Sequence, residues 1–299
     1  MKLKSIISFS LLLALCNASK AQQIFTISQF VQHNFLFNPA AAGANDDASV
    51  GATYRKMWSG IDGGPQTTIL YGDKYFSKKK VGVAVVLYDD KTGPTARSGG
   101  QVNLSYSIDM QQGRRLMFGL SGSLMQYKLD KQALADYIPN DPLLQSASEN
   151  TMKGDAGAGI YYKSSTLNLG ASVQQLVQSK FNYIKTGNNP EGKLYRHLYF
   201  MGSYNWKVDD VNVLIPNVLV QYQANAPVYY MAGIRLEHND MFWVGLSYHH
   251  QQSYSAMAGV KIDHKLAIGY SYDQYSTPLS VFDDGGGAHE ISLRYFFKK

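Results

Sequence analysis

The stretch Gln101–Asp109 reads QVNLSYSID, and its polar and apolar side chains alternate one by one. A period of two is the repeat of a pleated β-strand, whose successive side chains point to opposite faces. Lys265–Asp273, KLAIGYSYD, repeats the pattern near the other end of the chain. Each stretch has roughly the length that a tilted strand needs to cross a bilayer. Two faces of unlike polarity therefore favour the strands of a transmembrane β-barrel.

The same alternation recurs along the chain and predicts an all-β fold, an antiparallel barrel of about 14 strands. The predicted strands span residues 48–58, 66–76, 80–88, 98–109, 114–127, 154–164, 165–174, 194–206, 211–223, 227–238, 240–250, 254–263, 265–274 and 287–297. Pro216 lies inside the ninth strand and has no N–H to donate, so we expect a bulge there. The last strand should close on the first, because lipid cannot satisfy an open sheet edge.

The connections between these strands differ in length at the two ends of the predicted barrel. One end carries 59–65, 89–97, 128–153, 175–193, 224–226, 251–253 and 275–286, and the other carries tight turns such as 77–79, 110–113 and 207–210. Outer-membrane barrels place long loops outside the cell and short turns in the periplasm. We therefore expect an integral protein of the cell outer membrane, with extracellular long loops. The short turns and both mature termini should be periplasmic.

Residues 1–21 have the features of a secretory signal peptide. Two lysines precede an apolar run, 6–15, that is too short to span a bilayer, and small residues follow at 18–21. Cys16 raises a lipoprotein alternative, but the leucine before it is larger than a lipoprotein peptidase usually accepts. Cleavage after Ala21 would leave no cysteine for disulfides, thiolate catalysis or zinc binding.

The mature chain divides into two parts. Residues 22–47 contain four phenylalanines, at positions 25, 30, 35 and 37, which favours packing over a disordered tail. We expect this N-terminal aromatic segment to pack at the periplasmic side of the barrel or in its lumen. Residues 48–299 form the outer-membrane β-barrel, and we find no linker, repeat or second domain.

No pattern in the sequence predicts an active site, a cofactor or a metal site. His249 and His250 are adjacent, so on a strand they point to opposite faces and cannot bind one ion together without a bulge. Asp283–Gly287, DDGGG, could hold calcium weakly in a loop but lacks the EF-hand spacing. A barrel lipase or protease remains an alternative, since its residues could be far apart in sequence. The slight basic excess does not suggest nucleic-acid binding.

Three segments are not explained by turn chemistry alone. They are Phe37–Gly43 (FNPAAAG), Tyr54–Thr67 (YRKMWSGIDGGPQT) and Asp89–Thr95 (DDKTGPT). In this order, after a signal peptide, they resemble the PorP/SprF family of Bacteroidota outer-membrane proteins. The chain departs from the family pattern at Ala41, where the family often has a larger residue. It also has Met57–Trp58 and Gly64–Pro65 where Gln-Trp and Gly-Ala-Pro are common.

The resemblance implies a non-enzymatic component of the type IX secretion system. Such proteins help to export or anchor surface proteins, often large gliding adhesins, that carry a C-terminal targeting domain. Some members also connect with periplasmic subunits of the machinery. The partners implied are therefore a secreted surface protein, other secretion components and outer-membrane lipid.

We expect a partner-binding surface in the first two outer loops. Its candidate residues are Arg55, Trp58, Gly63, Gly64, Pro65, Lys91, Gly93 and Pro94. Rigid glycine and proline turns that present an aromatic ring and a few cations suit a docking surface. The simpler interpretation is that these residues only shape two loops and close the mouth.

Two alternatives from other classes stay open. A passive channel for small solutes would use lumen-facing polar residues, namely Asn103, Ser105, Asn168, Ser172, Lys265 and Ser271. A soluble β-sandwich would instead pack one apolar face of each strand inside.

Overall fold

The computed structural model describes residues 26–135, 150–181, 192–224, 226–276 and 279–297. The strands are β1 (Ala48–Lys56), β2 (Gln66–Phe76), β3 (Val81–Thr92), β4 (Thr95–Asp109), β5 (Arg115–Leu129), β6 (Asn150–Lys163), β7 (Leu167–Gln174), β8 (Lys180–Phe181), β9 (Gly192–Lys193), β10 (His197–Tyr204), β11 (Trp206–Lys207), β12 (Asn212–Gln223), β13 (Tyr229–His238), β14 (Phe242–His249), β15 (Ser253–Ile262), β16 (Leu266–Tyr275) and β17 (Ala288–Phe297). The helices are α1 (Asn34–Phe37), α2 (Lys131–Ala135) and α3 (Leu279–Phe282), with 3₁₀ turns at Phe30–Gln32, Pro39–Ala41, Ser77–Lys79 and Gln111–Gly113. None of the helices in these ranges is long and apolar enough to cross a membrane.

Fourteen of the strands form a closed antiparallel barrel, as predicted. Each pairs with its neighbour along the chain, β10 joins β7 to β12, and β17 closes on β1. The closing register pairs Ala52 with Leu293. Of the remaining strands, β11 extends the sheet beside β12, while β8 and β9 pair only with each other. Closure leaves the wall without an open sheet edge, which a bilayer requires.

The apolar face of the sheet points outward and the polar face points into the barrel. Leu104 is 53% exposed on the outer surface, whereas its neighbours Asn103 and Ser105 are buried inside. Ile268 and Leu293 are likewise exposed on the outside. A sandwich would bury these apolar side chains, so the soluble alternative is wrong.

The long connections all leave one end of the barrel, although one predicted loop is absent. After β1, β5, β7 and β16 the chain leaves the wall at this end, which we call the long-loop end. The prediction of a loop at 89–97 is wrong, because β3 and β4 stay paired up to Thr92 and Thr95. Only Gly93 and Pro94 separate the two strands. The opposite, short-turn end carries no connection longer than 205–211, which includes β11.

Pro216 interrupts the sheet without a bulge, contrary to our expectation. The pairs Ser203–Asn217 and Trp206–Leu214 leave equal spacings on the two strands, so the register is unchanged across the gap. The ladder with β12 is absent at two positions, opposite Pro216 and Ile215, while Pro216 stays in register with Ile234 of β13. Pro216 has no N–H to donate to the ladder. This gap is what separates β10 from β11.

The core of the protein lies between the barrel wall and the segment 26–47, which occupies the lumen. We call this segment the plug. Phe30, Phe35 and Phe37 are almost fully buried in it and pack with inward-facing wall residues such as Tyr71 and Tyr199. The lumen of a barrel of this size is too wide for wall side chains alone to fill. The aromatic plug supplies the missing apolar volume.

Candidate functional site

The polar residues of the inner wall bind the plug backbone. Asn103 Nδ2 donates to the carbonyl of Phe35 at 3.0 Å, and Ser172 Oγ donates to the carbonyl of Phe37 at 2.7 Å. Ser105 Oγ similarly donates to Ala42. These three residues face the lumen as predicted, but their hydrogen bonds go to the plug.

The other residues predicted to line a water-filled lumen have different environments. Ser271 is fully buried, and Asn168 Nδ2 donates to Ser203 Oγ at 3.2 Å. Lys265 is exposed in the turn after β15. The polar side chains on the inner wall therefore serve to bind the plug more than to line a water-filled path.

The motif at Phe37–Gly43 forms the part of the plug that lies closest to the wall. Asn38 is buried, its Oδ1 accepts from Ala40 N at 2.9 Å, and its Nδ2 donates to the Ile160 carbonyl at 2.9 Å. A Cβ atom added to Gly119 would lie only 2.2 Å from Ala40 N. The alanines are small because the plug backbone approaches the wall this closely.

A buried charge cluster holds the beginning of the plug near the long-loop end. Arg55 donates to Asp273 Oδ2 at 2.6 Å and to Glu290 Oε2 at 3.1 Å. Ser28 completes the cluster, since its N–H donates to Glu290 at 2.8 Å and its Oγ donates to Asp273 at 2.9 Å. We call these four residues the latch. Arg55 is 2% exposed, and both carboxylates are 0% exposed.

The sequence suggested that Arg55 is a surface cation at the outer mouth. The structure instead buries its side chain in the lumen. The alternation of β1 turns its side chain inward, where two carboxylates neutralise it. An unpaired charge at this depth would carry a large desolvation cost. The alternation also places Glu290 on the inward face, but no local pattern reveals that Asp273 and Ser28 join it.

A second set of contacts ties the plug near the short-turn end. Asp73 Oδ1 accepts from Gly43 N at 2.6 Å. Arg294 donates from Nη1 to the Gln32 carbonyl at 2.6 Å and from Nη2 to Ser49 Oγ at 2.9 Å. The plug is thus fixed to the wall at both ends of the barrel.

Three connections at the long-loop end contact one another through their backbones. We call 57–65, 93–94 and 279–287 together the platform. Gly93 N–H donates to the Gly63 carbonyl at 2.9 Å, and Ser59 N–H donates to the Gly287 carbonyl at 3.1 Å. Gly60 N–H donates to Asp283 Oδ1 at 3.1 Å. These contacts hold the platform loops together beside the latch strands.

The first platform loop contains four of the residues predicted to bind a partner. Trp58 is partly buried with a φ of 52°, and its indole Nε1 is buried with no hydrogen-bond partner. Gly63 is exposed at a φ of 76°, which favours glycine. Gly64 is buried, and the Pro65 carbonyl accepts from Met57 N at 2.8 Å.

The other three predicted residues lie on the neighbouring hairpin. Lys91 is exposed on β3, opposite Gln66 at the start of β2. Gly93 touches Gly63, and the Pro94 carbonyl accepts from Asp130 N at 2.8 Å. The structure therefore brings together seven of the eight residues, and only Arg55 points away into the lumen.

The acidic loop considered for calcium has another role in this arrangement. Asp283 is fully buried, Oδ1 accepts from Gly60 N, and Oδ2 accepts from Gly287 N. Both oxygens are thus engaged by N–H donors, which a cation could not replace without breaking the platform. Within the described residues, no group of three or more histidine, cysteine or acidic side chains is arranged to hold a metal ion.

His249 is the last residue of β14 and His250 follows it, and the two side chains point to opposite faces of the wall, as the pleat predicts. His249 is buried in the lumen, where it contacts Tyr229 at 3.2 Å and Ser247 at 3.1 Å. His250 stacks on Tyr230 with ring centroids 4.3 Å apart.

Comparisons with known structures show the fold. The chain is similar to the CymD monoaromatic hydrocarbon channel, with a TM-score of 0.53 at 10% identity, covering 93% of this chain and 95% of that one. It also matches the outer-membrane protein Omp33 of Acinetobacter baumannii (TM-score 0.48, 10% identity, 85% and 100% covered). A third match is the toluene transporter TodX of Pseudomonas putida (TM-score 0.46, 10% identity, 91% and 93% covered). At 10% identity the likeness to CymD is one of fold alone, an outer-membrane β-barrel.

Comparison with protein families and with curated sequences gives two further results. No curated protein matches the chain. The sequence model for the type IX secretion system membrane protein PorP/SprF matches residues 19–295, nearly the whole length. Together with the barrel fold, this match shows that the chain belongs to the PorP/SprF family of type IX secretion system membrane proteins.

Proposed function

We propose that this protein is a non-enzymatic docking component of the type IX secretion system. In this proposal the long-loop end faces the cell exterior, and the platform binds a secreted surface protein through that protein's C-terminal targeting domain. Docking there would export the partner or anchor it at the surface, as for a gliding adhesin. Contacts with periplasmic secretion subunits would involve the short-turn end.

The backbone-linked platform is the observation that carries the proposal. Its first loop holds Trp58 at one rim of the barrel, beside Lys91 at the end of β3, and hydrogen bonds join Ser59 to Gly287 and Gly63 to Gly93. Loops that are already fixed lose little conformational entropy on binding.

Co-purification tests this function. The detergent-extracted protein should retain a surface protein that mass spectrometry identifies as carrying a C-terminal targeting domain. Trp58→Ala should reduce retention tenfold or more, because buried aromatic anchors dominate interfaces. Lys79→Ala, on the exposed short-turn end, is the matched control and should retain the partner. Absence of any such partner from the wild-type preparation would refute docking.

Single-cysteine labelling tests which end of the barrel faces the cell exterior. The sequence has one cysteine, Cys16, within the predicted signal peptide, so an introduced cysteine gives a clean signal. Asp62→Cys, exposed on the platform, should react with an impermeant maleimide on intact cells. Lys79→Cys should react only after the outer membrane is opened. The reverse result would place the platform in the periplasm.

A passive channel is less well supported because the plug occupies the lumen. The wild-type protein in a planar bilayer should give no sustained current. A stable open conductance would instead favour the channel function.

A further inference from the structure

Two neighbouring turns at the short-turn end carry a cluster of cations. Lys78, Lys79 and Lys80 lie between β2 and β3, and Arg114 lies between β4 and β5. All four side chains are exposed. The two turns lie side by side because β3 pairs with β4, and Ser107 N–H donates to the Lys80 carbonyl at 2.8 Å. We call these four residues the cationic rim.

The charge of the cationic rim is only partly neutralised. Asp109 lies within it and contacts Lys80, with 2.9 Å between the carboxylate and the ammonium, and both side chains are about half exposed. Such an exposed pair is weak. Asp46 is held from the lumen side by Arg115 at 2.9 Å. Four rim cations against the one carboxylate of Asp109 leave a net charge of +3.

Among the described turns at this end of the barrel, the excess of cations is confined to the rim. The connection before β12 carries Lys207 against Asp209 and Asp210. The turn after β15 carries Lys265 against Asp263. A ligand that recognises positive charge at this end would therefore bind at the rim.

The outer wall next to the rim is apolar and aromatic. Phe76, Tyr106 and Phe118 are exposed on the lipid-facing surface. They form one row across the strands, because Val81 pairs with both Phe76 and Tyr106, and Tyr106 pairs with Phe118. Rows of aromatic residues on outer-membrane barrels lie at the level of the lipid headgroups. The cationic rim begins two residues beyond Phe76 and therefore lies at the depth of the lipid phosphates.

A fifth cation reaches the same level from the lipid-facing surface. Lys74 is exposed on the outer face of β2, two residues before Phe76, and its ammonium lies 4.9 Å from the centre of that ring. A lysine on a lipid-facing wall extends its stem so that the charge reaches the interface. Apolar and cationic surfaces thus lie side by side at this edge of the wall.

We propose that the cationic rim binds the phosphate groups of anionic phospholipids, whose acyl chains lie against the aromatic row. Clusters of lysine and arginine next to a membrane-spanning segment attract anionic lipids in this way. An acidic protein in the aqueous phase could contact the turns but would not reach the aromatic row, which lies in the bilayer. This binding site goes beyond the docking function and requires neither a docked partner nor an assigned orientation of the barrel.

Native mass spectrometry tests the site on the full-length protein in a non-ionic detergent. The protein is mixed with equal amounts of phosphatidylglycerol and phosphatidylcholine that carry the same acyl chains, and the bound lipids are counted. The wild type should retain phosphatidylglycerol in about tenfold excess or more, because several cations face one headgroup level. Lys78→Gln/Lys79→Gln should lower this preference at least fivefold, since each lysine near an anionic lipid surface contributes about that factor.

A matched double variant and a soluble headgroup make the test specific. Lys207→Gln/Lys265→Gln removes two exposed lysines from other turns of the same end and should keep the preference. Equal losses in the two double variants would overturn the site, because general charge would then explain the preference. Equal retention of the two lipids by the wild type would also overturn it and would leave the rim to a protein with an acidic surface. Glycerol 3-phosphate, which has no acyl chains, should not displace phosphatidylglycerol, and displacement would reassign the rim to soluble phosphate esters.

Discussion

Arg55 on β1 and Asp273 on β16 form an ion pair of 2.6 Å inside the barrel, although 218 residues separate them in the chain. Glu290 on β17 contacts the same guanidinium at 3.1 Å. These three strands are neighbours only because the last strand closes on the first. Barrel closure and attachment of the plug are therefore coupled through one arginine, and Ser28 is the plug residue that it holds.

Arg55→Gln should release the first part of the plug. The substitution leaves two buried carboxylates without their cation, and breaking a buried ion pair in this way costs about 3–5 kcal/mol. Hydrogen exchange of a peptide that covers residues 26–37 should accelerate markedly. Lys80→Gln removes an exposed pair with Asp109 and serves as the control, with no change expected. Unchanged protection in Arg55→Gln would show that the latch does not hold the plug.

Gly119→Ala should disturb the plug, whereas Gly122→Ala on the same strand should not. The new Cβ at position 119 would meet Ala40 N at 2.2 Å, and overpacking of this kind typically costs about 1–3 kcal/mol. At Gly122 nothing lies within 4 Å of the added atom. Thermal unfolding of the two variants, measured by heat-dependent migration in electrophoresis, gives the comparison. Equal melting temperatures would contradict the close contact of plug and wall.

Acid should weaken the plug through His33. Burial lowers the pKa of this residue to about 3, and its Nε2 lies 3.1 Å from the Tyr71 hydroxyl. The unfolded chain takes up a proton near pH 6.5, so stability from neutral His33 is complete above that pH and is lost as the pH falls towards 3. The protection factors of plug amides, taken as exchange relative to the unfolded chain at the same pH, should therefore decrease between pH 6.5 and 4.5.

His33→Gln separates this effect from the titration of lumen carboxylates. The variant keeps a polar side chain that does not titrate, so the pH dependence of the plug protection factors should become shallower. A slope identical to that of the wild type would assign the acid sensitivity to other groups.

Asp283→Ala should loosen the platform and reduce partner retention severalfold. Its carboxylate accepts from Gly60 and Gly287, and loss of such charge-assisted bonds typically costs about 1.5–3 kcal/mol. Asp284→Ala, at the exposed neighbouring position, is the matched control. Chelation of calcium should leave retention unchanged, because both oxygens of Asp283 already bind N–H groups. A loss of retention on chelation would instead support a cation in this loop.

The barrel could be predicted because its strands carry a local signal. Each strand separates lipid from lumen, so side chains such as Leu104 and Asn103 must alternate in polarity wherever the strand runs. All fourteen wall strands were located in this way. Two predictions were wrong, the loop at 89–97 and the bulge at Pro216. Both concern how far the hydrogen-bonded pairing of two strands continues, and this depends on the partner strand as well.

The candidate site was only partly predictable. The motifs marked the loops that hold Trp58, Gly63 and Gly93, because tight turns need particular residues. The inward position of Arg55 follows from its strand, but its two carboxylate partners come from the other end of the chain.

The sequence by itself determined the strand pattern, the outward apolar face and the ends at which long loops gather, since each depends on neighbouring residues. Only the tertiary structure decided that Phe37–Gly43 lies against the wall inside the lumen and that Arg55 joins Ser28 to Asp273 and Glu290. These features arise from contacts between distant segments, and closure of the sheet is the physical event that brings those segments together.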